Sequence, residues 1–123
     1  MTAREALAAY EARINAHDFD RLTGLIAPEA VFWFSDGSHQ GLPAIRHAFE
    51  RTWDMLAGER YWLDEVIWIA EGDRAAACIY RFNWNATVNG ESWAGSGRGT
   101  TVFRLGDDGS WRIVHEHLSN PPA

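Results

Sequence analysis

Three titratable residues stand side by side near the end of this chain: His115, Glu116 and His117, inside the apolar-rich segment Trp111–Leu118. Side chains alternate along a strand, so Glu116 shares a face with Val114 and Leu118, and the two imidazoles share the other. A carboxylate among apolar neighbours loses hydration. That raises its pKa and makes it a usable general acid or base near neutral pH. The competing role is a sheet-edge carboxylate paired with Arg81, Arg98 or Arg112. His115-x-His117 has the spacing of two metal ligands, but a metal site needs a third and usually a fourth. With no HExxH motif and a single cysteine, no metal is expected. The histidines read instead as a hydrogen-bonded pair at a subunit interface.

Other polar residues offer less. Arg98 lies between Gly97 and Gly99. Alternation turns Arg98 and Thr100 away from Thr101, unless a bulge at the glycines reverses them. Arg98 is thus either a pocket cation for an anionic ligand or a partner in an outer-face ion pair. The glycines are not a phosphate loop, because no helix follows them. Asp36 falls in the turn Asp36-Gly37 and has the strand parity of Phe34. No Ser-His-Asp or Cys-His arrangement is evident, and Cys78 reads as a small mid-strand hydrophobe.

The elements that must position these groups are legible from periodicity. Thr2 and Glu5 form a capping box ahead of a helix whose buried stripe is Ala3, Ala6, Leu7, Tyr10 and Ile14. His17 sits where a cation complements the end of that helix. Asp18 or Asp20 caps a short second helix through Leu22, Leu25 and Ile26, ending before Pro28. Ala30–Ser35 is a short strand. Pro43 opens a third helix carrying Ile45, Phe49, Trp53 and Leu56. The remainder reads as a meander: Tyr61–Ala70, Arg74–Val88, Glu91–Leu105 and Trp111–Leu118, with Asn89-Gly90 as a two-residue hairpin turn. Helices first and sheet after is the α+β class, with the helices on one face of the sheet. The long second strand of the meander is apolar on both parities: Cys78, Tyr80, Phe82 and Trp84 on one, Ala75, Ala77 and Ile79 on the other. A covered second face is expected, most simply a homodimer through the outer sheet face.

Composition sets the outer limits. The chain has 123 residues, enough for one domain spanning 1–123 with its own core. Its formal net charge is −6, and all eleven basic residues are arginines, so neither nucleic acid nor an anionic membrane is an expected partner. No apolar run approaches the length of a membrane span and no signal segment is evident, so a cytoplasmic location is expected. Seven Trp, six Phe and three Tyr are more rings than a small core needs. The surplus points to a cavity or an apolar interface.

Several stretches together resemble the nuclear transport factor 2-like superfamily, in its SnoaL-like and ketosteroid-isomerase-like branch. They are Ala9-Tyr10 through Asn15-Ala-His-Asp18-Phe-Asp20, Leu25-Ile-Ala-Pro-Glu-Ala30-Val, and Gly41-Leu-Pro-Ala-Ile45-Arg. The tail Gly109-Ser-Trp111-Arg-Ile-Val-His115-Glu-His117-Leu-Ser119 is similar to SnoaL-like proteins. It also looks like the end of the calmodulin-dependent kinase II association domain. The resemblance covers nearly the whole chain. It implies a cone-shaped fold: three N-terminal helices packed in a curved, mostly antiparallel sheet, with a pocket between them and dimers through the convex face. On that placement His115 and His117 lie outside with Trp111 and Ile113.

The resemblance also supplies candidate roles. Ketosteroid isomerases use a helix Tyr and a protonated Asp as oxyanion donors and a second Asp as base. Tyr10 matches the first, but the base position holds Phe34 and the oxyanion Asp position holds Thr101, so that mechanism is not expected. Asp36 remains a substitute base. SnoaL cyclases carry an acidic acid/base on the last strand, and the match is Glu116. Phe34, Phe49, Trp53, Tyr80, Trp84 and Thr101 are the expected ligand-binding residues. The function implied is a small-molecule-binding domain with an aromatic pocket for a small apolar or aromatic molecule. It would be an isomerase, cyclase or dehydratase needing no cofactor, with Tyr10 donating a hydrogen bond and Glu116 moving a proton. The alternative is a non-catalytic ligand-binding or dimeric assembly module.

Overall fold

The computed structural model describes residues 1–121. Helix α1 spans Ala3–Ile14 and starts at the expected capping box: Glu5 N–H donates to the Thr2 hydroxyl at 3.1 Å, and Thr2 N–H donates to the Glu5 carboxylate at 2.8 Å. Its buried stripe is the one read from the sequence. No second α-helix follows. Phe19–Arg21 and Thr23–Leu25 form two 3-10 turns, and strand β1, Ile26–Phe34, begins at once. The segment is too short to nucleate a helix, Gly24 weakens it, and Pro28 keeps Ala27 extended. Strand β2, Gly37–Gln40, was not legible from the sequence, because GSHQ has neither apolar alternation nor β-branched residues. Helix α2, Leu42–Met55, buries Ile45, Ala48, Phe49 and Trp53.

The meander follows as β3 (Arg60–Glu71), β4 (Ala75–Val88), β5 (Glu91–Leu105) and β6 (Trp111–Ser119). Asn89 and Gly90 both take positive φ, as a tight hairpin turn requires. The six strands form one sheet in the order β2-β1-β6-β5-β4-β3. All neighbours are antiparallel except β1 and β6, which run parallel. Bulges between Asp64 and Ile67, and opposite Val102 and Phe103, bend the sheet around the helices. The chain is thus an α+β fold built on a curved mixed sheet.

Helix α1 is tied to the edge strand β3 by side chains that stand in for a missing strand. Asn15 accepts from Tyr61 N–H at 2.7 Å and donates to Tyr61 C=O at 2.8 Å. Glu11 accepts from Leu63 N–H at 2.9 Å. Edge amides that would otherwise stay free are thereby satisfied. The core lies between the helices and the concave face, with Phe19, Phe32, Phe103, Ile26 and Ile113 fully enclosed. No helix among the described residues is long and apolar enough to cross a membrane.

Candidate functional site

Strand β5 explains how the aromatic wall is built. Register places Gly95, Gly97 and Gly99 opposite Trp84, Phe82 and Tyr80 of β4. Each ring lies across its glycine: a Cβ on Gly99 would come within 2.3 Å of Tyr80, and one on Gly97 within 2.5 Å of Phe82 and 2.1 Å of Ser119 O. The pairing is continuous, so the glycines host no bulge. Arg98 and Thr100 therefore point outward, and Thr101 inward.

Beyond this wall a cavity of about 320 Å³ opens on the concave side, at the small end of ligand pockets. Tyr10, Phe34, Phe49, Trp53, Trp84 and Glu116 of the expected set line it. Phe34 stands edge-on to Phe49 at 6.0 Å, and Phe49 tilts onto Trp53 at 5.5 Å. Tyr80 and Thr101 do not line it. Both lie behind Glu116 and hold it from beneath, because the Tyr80 ring is pressed across Gly99 and Thr101 is directly paired with Glu116.

Glu116 is only 1% exposed. Its Oε2 accepts from the Tyr10 hydroxyl at 3.1 Å, and its Oε1 from the Tyr80 and Thr101 hydroxyls, each at 3.3 Å. The Tyr80 and Thr101 hydroxyls are themselves 2.7 Å apart. Burial pushes the Glu116 carboxyl up to about 7, with the three hydroxyls pulling the other way. Burial, then the Glu116 charge, raises the Tyr10 and Tyr80 phenols well above their ordinary range, so both stay protonated. The same causes push the Cys78 thiol to about 12, which leaves it inert.

No arginine reaches Glu116. Arg112 pairs with Asp108 at 2.6 Å. Arg81 and Arg98 face each other across the outer surface, and neither makes an ion pair among the described residues. The expected outer-face ion pair of Arg98 is therefore not formed, since its cross-strand neighbour carries the same charge. Its outward direction keeps it out of the concave cavity, and it lines a separate outer-face depression with Arg81, Glu65 and Thr100.

Strand β6 departs from simple alternation. Thr101 pairs with Glu116, but Phe103 pairs with Ile113, so two residues on β5 span three on β6. This bulge puts Ile113 inside with Glu116, not outside with the histidines, and Ile113 is fully buried. His115 and His117 do lie on the outer face, where Trp33 sits edge-on to both at 5.0 and 5.6 Å. His115 Nδ1 donates to Val31 C=O at 2.6 Å. The described residues hold no group of three or more His, Cys, Asp or Glu able to bind a metal.

Asp36 lines the cavity mouth from the β1–β2 turn, where His39 Nε2 donates to it at 3.0 Å. His17 lies just past the C-cap of α1 at φ 52°, where its N–H donates to Ile14 C=O at 3.2 Å; its ring stacks on Trp53 at 5.2 Å and donates to Glu59 C=O at 2.9 Å. Among the lining residues that sequence reasoning missed, Glu59 and Tyr61 carry titratable groups. Burial raises the Glu59 carboxyl to about 7. Tyr61 shares the inward parity of Leu63 and was open to the same strand reasoning. Glu59, next to Gly58 in the loop before β3, carried no spacing signal.

The comparisons agree with this architecture. A protein of the nuclear transport factor 2-like superfamily from Salmonella enterica serovar Typhimurium superposes with a TM-score of 0.87 at 25% identity, over 97% of this chain and 88% of that one. A candidate dehydratase of the same family from Streptomyces avermitilis gives 0.85 at 17% identity, over 99% and 95% of the two chains. A candidate ketosteroid isomerase from Shewanella frigidimarina gives 0.81 at 17%, over 95% and 94%. The fold is therefore that of the nuclear transport factor 2-like superfamily. Residues 6–115 match the SnoaL-like domain, and the chain belongs to that family. No curated protein matches it.

Proposed function

We propose that the protein binds a small cyclic molecule in the aromatic cavity and moves a proton on it through Glu116, as an isomerase, cyclase or dehydratase without a cofactor. The observation that carries this is a fully buried carboxyl at the end of an aromatic cavity, shifted to about 7 and facing three hydroxyls but no cation. Such a group changes charge at the working pH of most enzymes. Ionised, Glu116 takes a proton from bound substrate. Protonated, its O–H can donate to Tyr10 Oη, which frees the Tyr10 proton for a substrate oxygen. Tyr10 thus donates through Glu116's protonation state, since in the ionised site its hydroxyl is committed to Oε2. Names among the structural neighbours, a candidate dehydratase and a candidate ketosteroid isomerase, are in keeping with proton-transfer chemistry.

Mass spectrometry of ligand retained through purification names the substrate class. With that ligand, kcat should rise with pH to a plateau, with its midpoint near 7, if Glu116 is the base. Glu116→Gln should bind it and lose turnover by about 10²-fold or more. Unchanged turnover ends the catalytic reading.

One observation favours a second, non-catalytic reading: both Glu116 oxygens are already engaged by protein hydroxyls. The cavity would then sequester its ligand, and Tyr10→Phe would alter affinity alone. For either reading we propose a homodimer through the outer face, where Trp33, Ile67, Ile69 and Ile79 are exposed.

A further inference from the structure

We propose that the cavity takes an organic cation: a protonated or quaternary amine on a flat apolar body, its charge set between Glu116 and Glu59. The inference rests on the cavity being a ligand site and names the chemical class it selects.

Charge in the lining has one sign. Asp36, Glu59 and Glu116 are the charged residues that line the cavity among those described; no Arg or His is part of the lining. The nearest imidazoles are already engaged: His39 with the Asp36 carboxylate, which leaves Glu59 and Glu116 without a cation, and His17 with the Glu59 carbonyl and the Trp53 ring. An anionic ligand would meet like charge at the floor and the mouth. A neutral apolar ligand would bury Glu59 further and give it nothing, because the Glu59 carboxyl has no hydrogen-bond or ion-pair partner among the described residues and is shifted by burial alone. A cation satisfies both carboxylates at once.

The walls suit the same ligand. Seven aromatic rings line the space, Tyr61 among them, and Tyr61 lies close enough to both carboxyls to feel each charge. Ring faces attract cations, best when water is excluded, and quaternary ammonium groups are held in this way by aromatic cages. A carboxylate behind the rings adds direct attraction in a low dielectric.

Proton linkage follows. Glu116 faces Tyr10 from α1, Tyr61 from β3, Tyr80 and Cys78 from β4, and Thr101 from β5, all of them neutral near pH 7. Glu59 faces Tyr61. Burial raises both carboxyls to about 7. A bound cation favours their ionised forms, so binding releases protons and tightens as pH rises through that range.

Three probes sharing one ring test this: benzyltrimethylammonium, neutral 2-phenylethanol and anionic phenylacetate. Binding is read from quenching of Trp53 and Trp84 fluorescence and by calorimetry in buffers of differing ionisation enthalpy. At about pH 8 the cation should bind about tenfold tighter than the alcohol, and phenylacetate weakest. The cation's advantage should shrink several-fold at about pH 5.5, and calorimetry should show proton release for the cation alone. Glu59→Gln, checked for folding by circular dichroism, should reduce the cation-to-alcohol ratio at least about threefold. If the alcohol binds as tightly as the cation at high pH, or if cation affinity is flat with pH, the cation inference fails while the ligand site stands. If none of the three binds at millimolar concentration, the ligand site fails with it.

Discussion

Glu116→Gln removes a buried charge and keeps the side chain's shape, so it isolates what ionising that group costs the fold. In the unfolded chain the carboxyl ionises at its ordinary 4.5; in the folded protein burial delays this to about 7. Between those values the folded state holds a proton that the unfolded state has lost. The Glu116 contribution to stability therefore falls as pH rises through this window, and is level below 4.5 and above about 7. The integrated cost is about 3 kcal/mol at about pH 8. The Gln variant carries no such cost. Its amide must find new partners among Tyr10, Tyr80 and Thr101, an offset of about 1 kcal/mol that does not depend on pH. Glu59 titrates equally in both proteins and cancels. The variant-minus-wild-type difference should thus rise by about 3 kcal/mol in the variant's favour between about pH 4.5 and 8. For 123 residues that is a relative shift of roughly 12 °C in Tm. Urea denaturation across the pH series measures it. A difference constant to within about 0.5 kcal/mol would mean that water reaches the carboxyl in the folded state, and the burial argument would be refuted.

Three further outcomes follow from the geometry. Gly97→Ala should destabilise by about 2–4 kcal/mol, since its Cβ collides with the Phe82 ring and Ser119 O, whereas Gly24→Ala, with open space around it, should be neutral or stabilising by about 0.5 kcal/mol; thermal melts compare the pair. Asn15→Ala should cost about 1–3 kcal/mol by freeing both backbone groups of Tyr61, with hydrogen exchange accelerated first at Tyr61 and Leu63. Ile79→Asp on the outer face should leave the circular dichroism spectrum unchanged and convert the proposed dimer to monomer in sedimentation; an unchanged sedimentation coefficient would remove that interface.

Local chemistry wrote most of the fold into the sequence. The capping box at Thr2, the Asn89-Gly90 turn, the bounds of β5 and the inward parity of Tyr80, Phe82 and Trp84 all depend on residues within a few positions of one another. Period and turn chemistry report such features directly. The short segment after α1 and strand β2 escaped because each is set by what it packs against: β2 is extended by pairing with β1, not by its own residues.

The site was decided at longer range. Tyr10 and Glu116 are 106 residues apart, and parity alone could aim both inward but could not show that they bond to each other. Alternation on β6 assigned Glu116 to the inner face, yet the bulge that brings Ile113 there too comes from pairing with β5 and β1. The glycines of β5 read as the place for a bulge, whereas in the fold the rings of β4 lie across them. Glu59 becomes part of the cavity only through the tertiary placement of the loop before β3. Sequence fixes what a residue prefers next to its neighbours; desolvation, which sets the chemistry of Glu116, depends on atoms brought from four separate elements, and only the folded chain assembles them.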